Sequence, residues 1–139
     1  MLSTPKHGWS NISIGNWSER CSYLDDIPFT LLRALEKVCR TRTVEAVKFD
    51  AEGYEYIIVF DNNDVHIISN NSEQGYIYVS IEVNVHDLAK ELVSDIRKDI
   101  DYWSSWNDYG SMGTEEMTER KQGLIILCDN IEKRFVRYE

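Results

Sequence analysis

The stretch Tyr54-Glu55-Tyr56-Ile57-Ile58-Val59-Phe60-Asp61-Asn62-Asn63-Asp64-Val65-His66-Ile67-Ile68-Ser69 decides the fold. Two runs rich in β-branched and aromatic residues flank a polar connection of Asp and Asn, which is the pattern of an antiparallel hairpin. In the first run Tyr56, Ile58 and Phe60 fall on one face and Ile57 and Val59 on the other. Apolarity on both faces predicts a central strand covered on both sides.

Working outward, residues 43–49 alternate weakly, with Val47 and Phe49 on one face. Asp50-Ala51-Glu52-Gly53 then forms a turn in which the glycine is free to take positive φ. On the far side, a loop from Asn70 to Gly75 leads to a run with clean alternation. Ile77, Val79, Ile81 and Val83 share one face, and Tyr76, Tyr78, Ser80 and Glu82 the other. A half-buried antiparallel strand reads this way, its polar and aromatic face left for solvent or a partner. Residues 44–85 therefore predict four consecutive strands.

The flanks read as cover for that sheet. Ile12 and Ile14 suggest a short strand that stops at Gly15-Asn16, in a start that is otherwise flexible around His7. Asp25-Asp26-Ile27-Pro28 opens a helix over residues 27–40, with capping carboxylates, proline in the first turn and a stripe of Leu31, Leu32, Leu35, Val38 and Cys39. Asn84 caps a second helix whose ridge runs Leu88, Leu92, Ile96, Ile100 and Trp103; Glu91, Asp95, Asp99 and Asp101 lie on its solvated face. Residues 104–113, around Trp106 and Tyr109, break the pattern and predict a mobile loop. Thr114 caps a last helix with Glu115 and Glu116 in its first turn, a stripe of Met117, Leu124, Leu127, Cys128, Ile131 and Phe135, and a weak point at Gly123. The order β-α-β-β-β-β-α-α describes one α+β domain over residues 1–139, with helices packed on an antiparallel sheet.

The chain has 139 residues and a formal net charge of −9. Between Asp50 and Ala89 stand eight acids (Asp50, Glu52, Glu55, Asp61, Asp64, Glu73, Glu82 and Asp87) and no Lys or Arg. Such a balance disfavours nucleic-acid backbone binding, which is built from Lys and Arg, and would attract a basic protein. Three cysteines, Cys21, Cys39 and Cys128, cannot all pair within one chain and lack metal or redox spacing, which predicts reduced thiols in a cytoplasmic setting. No apolar run has the length of a signal peptide core or a membrane span. The sequons at Asn11, Asn16 and Asn70 are accordingly read as accidental.

The inventory of chemistry is thin. Counted from Asp61, a calcium loop would need glycine at the sixth position and Glu at the twelfth, where His66 and Ser72 stand. The three histidines, His7, His66 and His86, show no zinc spacing with the cysteines. No nucleophile elbow and no phosphate-cradling glycine motif occurs. No metal or cofactor is expected. An enzyme would need a site assembled in space, for example a hydrolase using Cys21 with His66 or His86. A self-associating adaptor is a third class, joined through the last strand.

What stands out is an acidic sheet with tyrosines. Tyr54, Tyr56, Tyr76 and Tyr78 lie among Asp50, Glu52, Glu55, Asp61, Asp64 and Glu82. Tyrosine offers contact area with a polar tip, and carboxylates steer a basic partner and pair with its arginines. Because the middle strand is expected to be covered on both sides, the partner-binding residues are read as Asp50, Glu52, Glu55, Asp61, Asp64, Tyr76, Tyr78 and Glu82.

The phrases Ile12-Ser13-Ile14-Gly15-Asn16-Trp17, Tyr23-Leu24-Asp25-Asp26-Ile27-Pro28 and Glu52-Gly53-Tyr54-Glu55-Tyr56, set in a small acidic α+β chain, give it a style similar to that of bacterial immunity proteins. These are the antidotes to polymorphic and contact-dependent growth-inhibition toxins. The resemblance is diffuse over most of the chain and carries no family site. It implies a one-to-one complex with a toxin domain, often a basic nuclease, whose active site is blocked by mimicry of nucleic-acid charge.

Overall fold

The computed structural model describes residues 1–70, 75–107 and 112–136. The α+β class holds, but the first segment is a hairpin rather than a lone strand. β1 (Trp9–Ile14) pairs with β2 (Trp17–Ser22) through a Gly15-Asn16 turn, as a two-stranded sheet of its own. β2 escapes detection because Trp17-Ser18-Glu19-Arg20-Cys21-Ser22 offers only two apolar residues to a pattern search.

α1 (Ile27–Thr41) is followed by the four-stranded antiparallel sheet β3 (Glu45–Asp50), β4 (Glu55–Asp61), β5 (Asp64–Ser69) and β6 (Ile77–Glu82), in that spatial order. α2 (Val85–Lys98), α3 (Ile100–Ser104) and α4 (Thr114–Val136) complete the chain. The expected long helix through Trp103 is broken at Asp99, whose φ of −118° and ψ of 34° leave the helical region. Ile100 and Trp103 stay on the apolar side of the short α3, and Trp103 is fully buried.

The register places Val47 and Phe49 of β3, Tyr56, Ile58 and Phe60 of β4, Val65 and Ile67 of β5, and Val79 and Ile81 of β6 on one face. α1 lies against β3 and β4 on that face and is flanked by α2 and α4. Leu31, Leu32, Leu35, Leu92, Ile96, Leu124 and Ile131 close the core beneath it, with Ile12, Ile14 and Cys21 of the hairpin. Cys39 is half-buried, at the margin of the stripe rather than inside it. The hairpin docks through Trp17, edge-on to Tyr56 at 5.6 Å, and through the Tyr56 hydroxyl, which donates to the Arg20 carbonyl.

Three further local expectations change. Asp26 does not cap α1 with its side chain; its carboxylate is gripped by both guanidinium nitrogens of Arg120, at 3.0 and 3.2 Å. A bidentate charged pair outcompetes a single capping bond. α4 begins at Thr114, with the preceding Gly113 carbonyl accepting from the Met117 N–H, so Thr114 is inside the helix rather than its cap. Gly123 is a point of close approach: a β-carbon there would come within 3.1 Å of the Phe29 ring. That ring also lies under Arg120 at 4.9 Å and Arg33 at 5.1 Å.

The chain start is docked on α2. Met1 and Leu2 are buried, the Met1 amino group donates to Glu91 and Asp95, and the Leu2 N–H donates to Asp95. Part of the face of α2 assigned to solvent is therefore occupied. Of the loop over 104–113, residues 108–111 lie outside the described residues. Before them Trp106 is buried and its indole N–H donates to the Asp25 carbonyl at 2.8 Å, while the Asn107 amide donates to the Tyr23 carbonyl.

Candidate partner-binding face

Strand alternation sends Ile57 and Val59 of β4, His66 and Ile68 of β5, and Tyr78 and Ser80 of β6 to the face opposite the core. Among the described residues no helix packs on this outer face, and Ile57 and Val59 are half-buried where Tyr56, Ile58 and Phe60 are buried, so the expected second cover of β4 is not found among them. Ile68 is 36% exposed. The two-sided apolar run does mark a central strand, flanked by β3 and β5. Its second apolar face carries no helix among the described residues.

The tyrosines divide. Tyr56 is 1% exposed and belongs to the core, where burial raises its phenol well above the ordinary value. Tyr54 is half-buried; its hydroxyl donates to Glu19, and burial together with that carboxylate pushes it up to about 12. Tyr76 and Tyr78, by contrast, are 80% and 61% exposed. Tyr78 reaches across to His66, with its hydroxyl 2.6 Å from Nδ1 and the rings nearly parallel.

The acids divide as well. At one end of the sheet Asp50 and Glu55 are cross-strand partners. Asp50 Oδ1 accepts from the Glu52 N–H, Glu52 Oε2 accepts from the Ser22 hydroxyl, and Glu55 pairs with Lys48 at 3.0 Å. Glu55 holds the Lys48 ammonium above its ordinary value. These three carboxylates are committed to internal contacts, and Glu52 turns toward the hairpin. The charge of residues 50–89 is thus partly matched from outside that segment, by Lys48.

At the other end, about 20 Å away along β4 at roughly 3.3 Å per residue, the register sets Asp61 opposite Asp64 and Asp64 opposite Glu82. All three project on the outer face. Like charges in directly opposed positions destabilise a sheet. Among the described residues, none of the ion pairs includes any of the three. The β4–β5 loop between Asp61 and Asp64 is tied down: Asn62 adopts φ of 38°, its side chain donates to the Arg42 carbonyl, and its carbonyl accepts from Val85 N–H at 2.9 Å. No group of three or more His, Cys, Asp or Glu side chains among the described residues is placed to hold a metal ion.

Six of the eight expected residues thus frame one surface: Glu55 and Tyr76 at one end, Tyr78 between, and Asp61, Asp64 and Glu82 at the other. Asp50 sits half-buried at its corner, and Glu52 is turned off it. Ile57, Val59, His66 and Ile68 belong to the surface and were missed. For Ile57 and Val59 the signal was present as the second apolar face of β4, which was assigned to burial; His66 and Ile68 lie on the corresponding face of β5.

Groups suited to nucleophilic chemistry are placed differently. Burial pushes the Cys21 thiol up to about 12, and the Cys39 and Cys128 thiols to about 11. Cys21 lies in the core and His66 on the outer face, so the sheet stands between them. An open cleft of about 440 Å³, lined by Lys6, His7, Tyr23, Tyr102 and Trp106, is a separate feature. No helix among the described residues is long and apolar enough to cross a membrane. Comparison with protein-family models, with curated proteins and with solved structures finds no match for this chain.

Proposed function

We propose that the chain is a binding module that neutralises a basic toxin domain, acting as an immunity protein in the cytoplasm and working by occlusion rather than catalysis. The observation that carries this reading is the pairing of an aliphatic and tyrosine face that no described helix covers with Asp61, Asp64 and Glu82, three cross-strand carboxylates unmatched by any ion pair among the described residues. Opposed carboxylates weaken the free sheet, and a cationic partner relieves that repulsion on binding. Exposed tyrosines and isoleucine supply the desolvated centre of an interface, and the acids at its margin steer encounter. A nuclease cleft shaped for phosphates offers the complementary charge.

Co-expression with the protein encoded immediately upstream tests the reading: survival of cells making both supports it, and death despite the antidote overturns it. In a purified pair, association slows as salt rises, because exposed charges are screened within about 10 Å at 0.1 M ionic strength.

A further inference from the structure

The two edges of the four-stranded sheet are built differently. Along β3, α1 and β2 pack close, the Asp50 N–H donates to Asp25 Oδ2 at 2.7 Å, and the strand carries Lys48. Among the described residues β6 has β5 as its one sheet neighbour, and Ile77–Glu82 contains no Pro, Lys or Arg, the residues that commonly close an edge.

The direction of the remaining backbone groups follows from the register. The two-residue Asn62-Asn63 loop makes Asp61 and Asp64 a hydrogen-bonded pair, so Val65, Ile67 and Ser69 turn their backbone groups toward β6. The Val83 N–H on the Asn63 carbonyl at 3.0 Å obeys the same alternation. The N–H and C=O groups of Tyr78, Ser80 and Glu82 therefore point away from the sheet.

We infer that this edge takes up an extended segment of the partner as an added strand, and that the segment alternates apolar and basic residues. On the core side of the edge Ile77 is 45% exposed and Val79 and Ile81 are half-buried; Ile81 meets the hairpin turn, where a β-carbon on Gly15 would come within 3.1 Å of it, and beside that contact an open groove of about 420 Å³ is lined by Val79 and Ile81 with Asn16 and Trp17. Apolar side chains of an added strand enter that groove. On the outer side the same strand runs beside Tyr78 and Glu82, with Asp64 and Asp61 next in line. Its alternate residues, a period of two away, meet carboxylates, and Lys or Arg fits them. A second copy of this chain would bring Glu82 and its neighbours to an edge already acidic, so charge favours a basic segment over self-pairing. The inference rests on reading the chain as a module for a basic partner, not on that partner being a toxin.

The test uses the full chain and two synthetic peptides of about ten residues, one alternating Lys and Val and one with the same residues in two blocks. Amide exchange followed by NMR reads the edge directly. The alternating peptide is expected to slow exchange at Tyr78, Ser80 and Glu82 and to bind about tenfold more tightly than the block peptide, with affinity falling as salt rises. Ser80→Pro removes an outward donor while leaving the bonds to β5, and is expected to weaken binding about tenfold or more with the fold retained. Val79→Lys keeps every strand bond, places a cation in the groove, and gives the same loss should Ser80→Pro fail to fold. Equal binding of the two peptides, protection confined to other residues, binding indifferent to Val79→Lys, or dimerisation through β6 in place of peptide capture would each overturn the inference. Failure to protect cells from the upstream protein would instead count against the toxin reading alone.

Discussion

The two faces of the four-stranded sheet are made from the same strands and nearly the same residue types, yet only one is filled. On the inner face Phe49, Tyr56, Ile58, Phe60 and Ile67 are at most 1% exposed beneath α1, α2, α4 and the hairpin. On the outer face Ile57, Val59, Ile68, Tyr76 and Tyr78 have no described helix above them. Among the described residues the difference lies in where the other elements pack: three long helices and a hairpin all return to one side. Hydrophobicity in a strand reports that a surface wants cover, and topology decides whether the chain itself supplies it.

The contrast can be broken most forcefully from inside. Phe60→Ala is expected to lower the unfolding free energy by about 4 kcal/mol, since a fully buried ring leaves a cavity that the core only partly closes; urea denaturation measures it, and a loss below about 1 kcal/mol would show the inner face to be loosely packed. On the outer face, Asp61→Lys combined with Asp64→Lys is expected to slow association with a basic partner by about tenfold or more, read by stopped flow, without loss of stability. Tyr78→Ala should lower stability by about 1 kcal/mol at most, through its cross-strand contact with His66, but weaken partner binding by about 2 kcal/mol or more, measured by calorimetry. A smaller change sharpens the picture of the acidic corner: Asp64→Asn relieves repulsion with both Asp61 and Glu82 and is expected to raise stability by a few tenths of a kcal/mol. The thiols give a check without mutation. With pKa values of about 11 to 12, Cys21, Cys39 and Cys128 should react with Ellman's reagent at pH 8 only once urea unfolds the chain.

Much of this was legible in the sequence, and the failures have a common cause. Residues 43–83 give four strands because alternation is a local property, and Asn84 caps α2 because its side chain bonds the N–H groups of His86 and Asp87 close by. Asp26 misleads because Arg120 arrives from the other end of the chain. β2 is hidden because its pairing with β1 supplies the stability that its own side chains do not advertise. The acids at the candidate site were readable as a group, while their division was not. Ser22 claims Glu52 and Lys48 claims Glu55, and those partners come from other strands. The outer face was misread since a two-sided apolar strand looks the same whether its second cover comes from this chain or from another molecule.

The alternation of β4, β5 and β6 divides their residues into two sets with separate obligations. Odd and even neighbours on one strand answer to different masters: Ile58 and Phe60 to the fold, Ile57, Val59 and Ile68 to whatever meets the outer face. Substitutions in the second set leave the first untouched. On the proposed binding role, a lineage could therefore exchange one partner for another by drift at these outward positions, each change touching folding only through its cross-strand pair, about 0.2–1 kcal/mol.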